Sequence, residues 1–493
     1  MKKVKAPPGA KRLIESLRNM GYECSTAIAD LVDNSLAAGA SAVHIEMFAQ
    51  DGSRPAAIVI ADNGRGMDRE QLYEAMRFGA FQEYSAEDLG KYGLGLKTAS
   101  LSQCRNLTVS SKAKAARGTR PRRYFMRWDL DYVYRTDDWD LLAPSADELQ
   151  TWEAEALTHQ AAQQNGTVVL WQGLDEALPL LTEPDVRKRE KFLAYLMGEV
   201  GDHLRMVFHR FMEGSVTGRR KLNLYMCGEK LEPWDPFCRR ENTRELEIMS
   251  VPLASRERDV TSTVTISPFI LPREDEFSSP KAWKDASGPR NWNAQQGFYF
   301  YRNHRLLQDG GWSNLRSPDE HTKLLRVAVH LSRDQDRAFS INVTKMRARI
   351  PTEIRDQVRA ALSKWAKEAR ERYDRGPVRR GGDGQSSPPP ATGTSRRNAD
   401  VAPPTVNVGP VSFARSNAPT HKLTVVDGQK PGQLRILVPQ SHELSAVFDA
   451  GGSDELLKLC VTAISVLEAI YEQRMTRDRI PLESLKRALR KHL

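Results

Sequence analysis

"IADLVDNSLAAGA", residues 28–40, has the period of an amphipathic helix and an unusual polar stripe. At 100° per residue Ile28, Leu31, Val32 and Ser35 share one side, and Asp30, Asp33, Asn34 and Ala37 share the opposite one. Taken alone, such a stripe is read as a solvated face, turned away from the core. The residues that follow in the sequence weigh against that reading.

The stretch "AAIVIADNGRGMD", residues 56–68, is an apolar strand ending in Asp62 and turning on Gly64 and Gly66. Glycines there let the backbone approach a ligand closely, and a carboxylate at a strand tip can accept from an exocyclic amine. In "LGKYGLGLKTAS", residues 89–100, Gly90, Gly93 and Gly95 precede a helical segment, so backbone amides and a helix N-terminus can surround phosphate oxygens. Asn-Gly-Thr at 165–167 leads into a further strand, "TVVLW". No Gly-x-x-x-x-Gly-Lys-Ser/Thr run occurs, so a P-loop site is disfavoured.

In this order and spacing the four elements resemble the GHKL ATPase superfamily, the group of gyrase, the ninety-kilodalton heat-shock chaperone, histidine kinases and MutL. "LVDNSLAAGASAVHI", "IADNGRGMD" and "LTVSSKA" look most like MutL and the MORC ATPases. "GFYFYRNHRLL" and "FSINVTKMRARIP" resemble their transducer domain, and the likeness extends over roughly residues 11–355. The fold it implies is α+β: an N-terminal Bergerat-type α/β sandwich with a mixed sheet, then an α+β transducer-like domain.

The resemblance implies a role for each matching residue. Asn34 would hold Mg²⁺ beside the triphosphate of ATP, and Asp30 would activate water. Asp62 would accept from the adenine amine with Thr167 in support, and Gly64, Gly66 and Met67 would border the base. Gly90, Gly93, Leu94 and Gly95 would form the lid over the phosphates, with Lys97 near it, and Lys345 would bring positive charge to the γ-phosphate from the second domain. Two departures stand out. Asp30 occupies the position where gyrase and MutL carry glutamate, one methylene longer, which makes slow hydrolysis an expectation. Ala37 replaces an aspartate found in many relatives, which should perturb hydrogen bonding around the metal and not its binding. Asp33 is expected to support the ligands from behind.

The rest of the chain bounds these expectations. Its 493 residues exceed one hydrophobic core, and 40% hydrophobic and 28% charged residues are ordinary globular values. No apolar run is long enough to cross a bilayer. The start, "MKKVKAPPGAKRLIESL", lacks the apolar core of a secretory signal, so a cytoplasmic location is the expectation. Cys24, Cys104, Cys227, Cys238 and Cys460 are scattered and read as reduced thiols. A net charge of +10 favours polyanionic partners. The cluster in "SKAKAARGTRPRRYFMRW", 111–128, reads first as a solvated hairpin loop, with phosphate contact as the alternative.

Pattern and composition divide the chain at 1–180 for the ATP-binding domain and 181–373 for the transducer-like domain. The Gly-, Pro-, Ser- and Arg-rich residues 374–412 lack the apolar side chains to order themselves and are expected to be a disordered linker reaching about 35 Å. A small C-terminal helical element, 413–493, carries the amphipathic run "ELLKLCVTAISVLEAIYEQ". The expected activity is an ATP-driven, dimerising clamp acting on DNA or DNA-bound partners in modification, repair or defence, with an unknown protein partner on the C-terminal element. The alternatives are a heat-shock-type chaperone, which would bind exposed apolar segments, and a poorly hydrolysing ATP-binding scaffold. A histidine kinase is not expected, because only about thirty residues precede the acidic helix and the transducer-like region follows the nucleotide domain.

Overall fold

The computed structural model describes residues 8–18, 22–52, 54–79, 95–115, 120–174, 178–254, 261–341 and 348–375, together with four short strands between 405 and 439. The first unit, Met1–Val378, holds two sheets, each with its own core.

Helices α1 (Ala10–Arg18) and α2 (Cys24–Ala37) lead into strands β1 (Ala42–Phe48) and β2 (Ala57–Asp62), followed by α3 (Arg69–Met76) and α4 (Gly95–Leu101). Then come β3 (Asn106–Lys112), β4 (Arg123–Asp129), α5 (Leu130–Thr136), α6 (Thr151–Leu157) and β5 (Gly166–Gln172). The 22-residue α7 (Val186–Val207) and short α8 (His209–Glu213) are followed by β6 (Asn223–Met226) and β7 (Glu229–Lys230). These strands form one seven-stranded mixed sheet in the order β4-β3-β5-β2-β1-β6-β7, with β1 and β6 parallel and the other pairs antiparallel.

β2 is buried along its whole length because both faces are covered. Ile58 and Ile60 join the main core with α1, α2 and α7, whereas Ala57, Val59 and Ala61 face a smaller core with Leu157 of α6 and Ala162. The residues after β2 start α3 through a capping box: the Asp68 side chain accepts from the Gln71 amide at 2.9 Å, and the Gln71 side chain accepts from the Asp68 amide at 3.1 Å.

The boundary expected at 180/181 falls inside this layer. The sheet runs on through β6 and β7, and Leu196, Val200 and Leu204 of α7 lie in the first core. The physical reason is the parallel β1–β6 pairing, which needs a long crossover, and α7 lies within that crossover.

The second sheet begins with β8 (Arg244–Glu245), β9 (Met249–Ala254) and β10 (Thr261–Ile270). After α9 (Pro280–Ala286) and α10 (Trp292–Gln295) it adds β11 (Gly297–Arg302), β12 (Arg305–Gln308) and β13 (Leu325–Leu331), and α11 (Thr352–Asp374) packs against it. The order is β12-β11-β13-β10-β8, with β9 also on β10, so β12 is an edge strand. The β11–β12 turn is the pair Asn303-His304, both with positive φ (47° and 70°), as a tight two-residue hairpin requires.

The second unit, Arg379–Leu493, contains a four-stranded sheet. Its strands are β14 (Thr405–Val408), β15 (Val411–Ser416), β16 (Thr424–Asp427) and β17 (Leu434–Pro439), in the order β14-β15-β17-β16. Strand structure therefore starts inside the stretch expected to be linker and continues into the described part of the C-terminal element. The β-branched run "TVNV" carries the strand signal within the Pro- and Ser-rich composition. The expected helix at 455–473 lies outside the described residues. No helix among the described residues is long and apolar enough to cross a membrane.

Candidate functional site

Helix α2 packs against α4 and α7, and every residue from Cys24 to Leu36 is buried except Asn34, which is exposed. The expectation of an outward-facing acidic stripe is corrected here: Asp30 and Asp33 are 5% and 2% exposed. The β11–β12 hairpin of the second sheet brings Arg305 against this buried stripe. Its Nε lies 2.8 Å from one Asp33 carboxylate oxygen and donates to the other at 3.0 Å, while its Nη2 lies 3.6 Å from Asp30. A helical wheel describes one helix against one core, and a second domain lies outside its terms.

Asp30 also accepts from the Tyr22 hydroxyl at 3.3 Å. Burial, and then the Asp30 carboxylate, push the Tyr22 phenol up to about 12, so it stays a donor at neutral pH.

The tip of β2 is fastened to α2. Ser35, one residue beyond Asn34, donates to Asp62 Oδ2 at 3.0 Å, and the Gly64 amide donates to Oδ1 at 2.8 Å. The Thr167 backbone also donates to this carboxylate. Burial pushes the Asp62 carboxyl up from the usual range, opposed by these donors. A carboxylate offers about four acceptor positions, so room remains for one further donor.

Two glycines are required by the backbone around this carboxylate. At Gly66 (φ +65°) a Cβ would sit 1.9 Å from the Lys112 carbonyl oxygen, and at Gly166 (φ +133°) a Cβ would sit 1.9 Å from the Asp62 carbonyl oxygen. Ser111 of β3 ties the surroundings together: it accepts from the Met67 amide at 2.9 Å and lies 2.9 Å from the Thr167 hydroxyl. Asn165 donates through Nδ2 to the carbonyls of Asn63 and Gly64.

Gly95 begins α4, as the glycine-rich stretch predicts. Lys97, two residues on, is 1% exposed and donates through Nζ to the Ala75 carbonyl at 2.8 Å, near the end of α3. Burial pushes its ammonium down to about 8. Lys97 is thus neither a surface lysine nor, in this arrangement, a free cation. Gly90, Gly93, Leu94 and Lys345 lie outside the described residues.

One contiguous site therefore gathers Asp30, Asp33, Asn34 and Ser35 of α2, the Asp62–Met67 turn, and Thr167 beside it. Residues 22–167 match the family described as "Histidine kinase-, DNA gyrase B-, and HSP90-like ATPase". This segment is a GHKL-type ATPase domain. Three Arabidopsis thaliana proteins are similar to part of the chain. Protein MICRORCHIDIA 5 is 28% identical over 127 residues, and Protein MICRORCHIDIA 7 is 28% identical over 125. Protein MICRORCHIDIA 4 is 29% identical over 127. Each alignment covers 24% of this chain, and the chain spans less than a fifth of each relative: 18%, 18% and 16%.

Arg305, Ser35, Ser111 and Asn165 stand in the sequence motifs without an assigned partner, and Tyr22 lies outside those motifs. For Arg305 a signal existed: two carboxylates on one helix call for a cation, and "YRNHR" supplies two arginines three residues apart. The partners of Asp62 had none, since a serine after an asparagine is common.

Proposed function

We propose that the chain binds and hydrolyses ATP with Mg²⁺, and that nucleotide binding drives two copies together as a clamp acting on DNA or DNA-bound partners. The observation that carries the reading is the Ser35–Asp62 hydrogen bond, 3.0 Å long, which joins the acidic helix to the tip of β2. It sets a buried carboxylate with spare acceptor capacity one helical position from the exposed amide of Asn34.

The residues fit the nucleotide. Asp62 would accept from the adenine amine, and the Gly64–Met67 backbone, shaped by Gly66, would border the base. Asn34 would contribute its amide oxygen to Mg²⁺, a hard cation that keeps several waters. Bound Mg²⁺ supplies charge neutralisation for the phosphates. Asp30 would take a proton from the attacking water; it is short by one methylene relative to the glutamate of gyrase and MutL, and Arg305 and Tyr22 restrain its carboxylate. The shorter side chain favours slow turnover.

The clamp and DNA parts rest on the family resemblance and on the chain's net charge of +10. Calorimetry with Mg-ATP tests the first part, and absence of binding heat would end the reading. Size measurement with ADP and with a non-hydrolysable ATP analogue, repeated with DNA at rising salt, tests the rest. The expected result is a dimer with the analogue alone, and DNA binding that falls steeply with salt.

A further inference from the structure

We infer that Arg305 is a positioning residue for water activation, so that Asp30 takes its working orientation only when the second sheet is docked on α2. The inference deepens the proposed ATPase reading and rests on it.

Four observations lead there. Arg305 is 3% exposed, and each nitrogen of its guanidinium is engaged: Nε on Asp33, Nη2 at 3.6 Å from Asp30, and Nη1 on the Leu306 carbonyl at 3.2 Å. A planar fork hydrogen-bonded to Asp33 and to the Leu306 carbonyl has a fixed orientation, and that orientation sets its remaining nitrogen in ion-pair range of Asp30. The arginine sits at the first position of β12, directly after the Asn303-His304 turn, on a hairpin whose outer strand is the edge of its sheet. A shift of that sheet therefore carries the guanidinium with it. The groups around the contact also leave the guanidinium as its cation: His203 of α7 is pushed down to about 4 by burial and then by Arg305, and Phe208 presents a ring 5.8 Å away.

Asp30 is the candidate base, and Asp33 lies one helical turn from it on the same stripe. Arg305 bridges both, from 272 residues away along the chain in the case of Asp33. A base contributes only when its oxygen lies within hydrogen-bond reach of the proton it takes, so a displacement of about 1 Å at Asp30 is sufficient to suppress the step. Arg305 thereby makes the placement of the second sheet a condition of turnover and leaves nucleotide affinity to Asn34, Asp62 and the turn between them.

The test uses the full chain with Mg-ATP. Two variants are compared with wild type: Arg305→Lys, which keeps a charge but loses the fork, and the double variant Arg305→Gln with Asp33→Asn, which removes the arginine together with the charge of the carboxylate it hydrogen-bonds and leaves Asp30 in place. Calorimetry gives Kd for ATP, single-turnover phosphate release gives the chemical rate, and thermal melting confirms folding. The inference expects the double variant to lose at least about tenfold in rate with Kd changed less than about threefold, and Arg305→Lys to recover part of the rate. An unchanged rate in the folded double variant overturns it, as does a raised rate, which would make Arg305 a brake. Equal losses in affinity and rate also overturn it, because they indicate general distortion. Wild-type chain that binds ATP without cleaving it overturns the inference and leaves the binding reading intact. Wild-type chain that does not bind ATP defeats the proposed function itself, and the inference with it.

Discussion

Arg305 and Asp33 stand 272 residues apart in the chain and form a buried ion pair, with Nε 2.8 Å from one carboxylate oxygen and 3.0 Å from the other. The pair joins the first sheet's layer to the second, and removing Asp33 leaves the buried guanidinium, among the described residues, with only its 3.6 Å contact to Asp30 as counter-charge. Asp33→Ala should therefore destabilise the chain by about 3–5 kcal/mol. Chemical denaturation checks this, and a loss under about 1 kcal/mol would show that the pair is dispensable for the fold.

Asn34→Ala should leave stability within about 0.5 kcal/mol, because the side chain is exposed and packs no core. Mg-ATP affinity should fall at least about a hundredfold. Retained affinity in calorimetry would remove Asn34 from the metal site.

Asp62→Asn should separate recognition from stability. Burial raises this carboxyl's folded-state pKa above its unfolded value, so the ionised form carries a penalty. That penalty is fully present above the folded pKa and disappears as pH falls below the unfolded one. At neutral pH the variant should thus melt higher than wild type while binding ATP more weakly. It should bind inosine triphosphate better, since the amide can donate to that base's carbonyl. A lower melting temperature together with unchanged preference between the two nucleotides would contradict both parts.

Lys97 gives a pH signature. Its pKa is pushed down to about 8 from an ordinary 10.5, so the folded chain binds fewer protons than the unfolded one between those values. Stability gains from this group as pH rises from about 8 to about 10.5. Lys97→Met should remove that gain, so the difference in melting temperature between variant and wild type should shift in favour of wild type over this interval. A pH-independent difference would mean the lysine titrates normally.

Gly66→Ala places a methyl 1.9 Å from the Lys112 carbonyl oxygen in a left-handed backbone conformation. The turn must move, and the destabilisation should exceed about 1 kcal/mol. Because the Met67 amide donates to Ser111 next door, ATP affinity should fall as well. A variant with wild-type melting and wild-type affinity would show that the turn has slack.

Much of the fold was legible in local pattern. The run "AAIVIAD" reads as a doubly covered strand and is one, since Ile58 and Ile60 face one core and Ala57, Val59 and Ala61 the other. Less legible was where one layer ends. The boundary at 180 followed the change from mixed patterns to a long helix, yet α7 and β6 complete the first layer through a parallel pairing with β1. Strand partners so far apart leave no local trace, because pairing adds no new residue pattern to either strand.

By itself the sequence determined the chemical kind of the site: an acidic helix, a carboxylate at a strand tip, glycine turns and a threonine-bearing strand, each specified by local propensity and by side-chain type. Tertiary structure alone decided how those carboxylates are used. Asp30 and Asp33 would face water on an isolated helix; in the folded unit they are buried, and an edge hairpin from a second sheet sets Arg305 against them. Periodicity reports the direction of a side chain relative to its own helix, whereas the charge it meets depends on which distant segment packs there, and that is settled by burial and pairing over the whole unit.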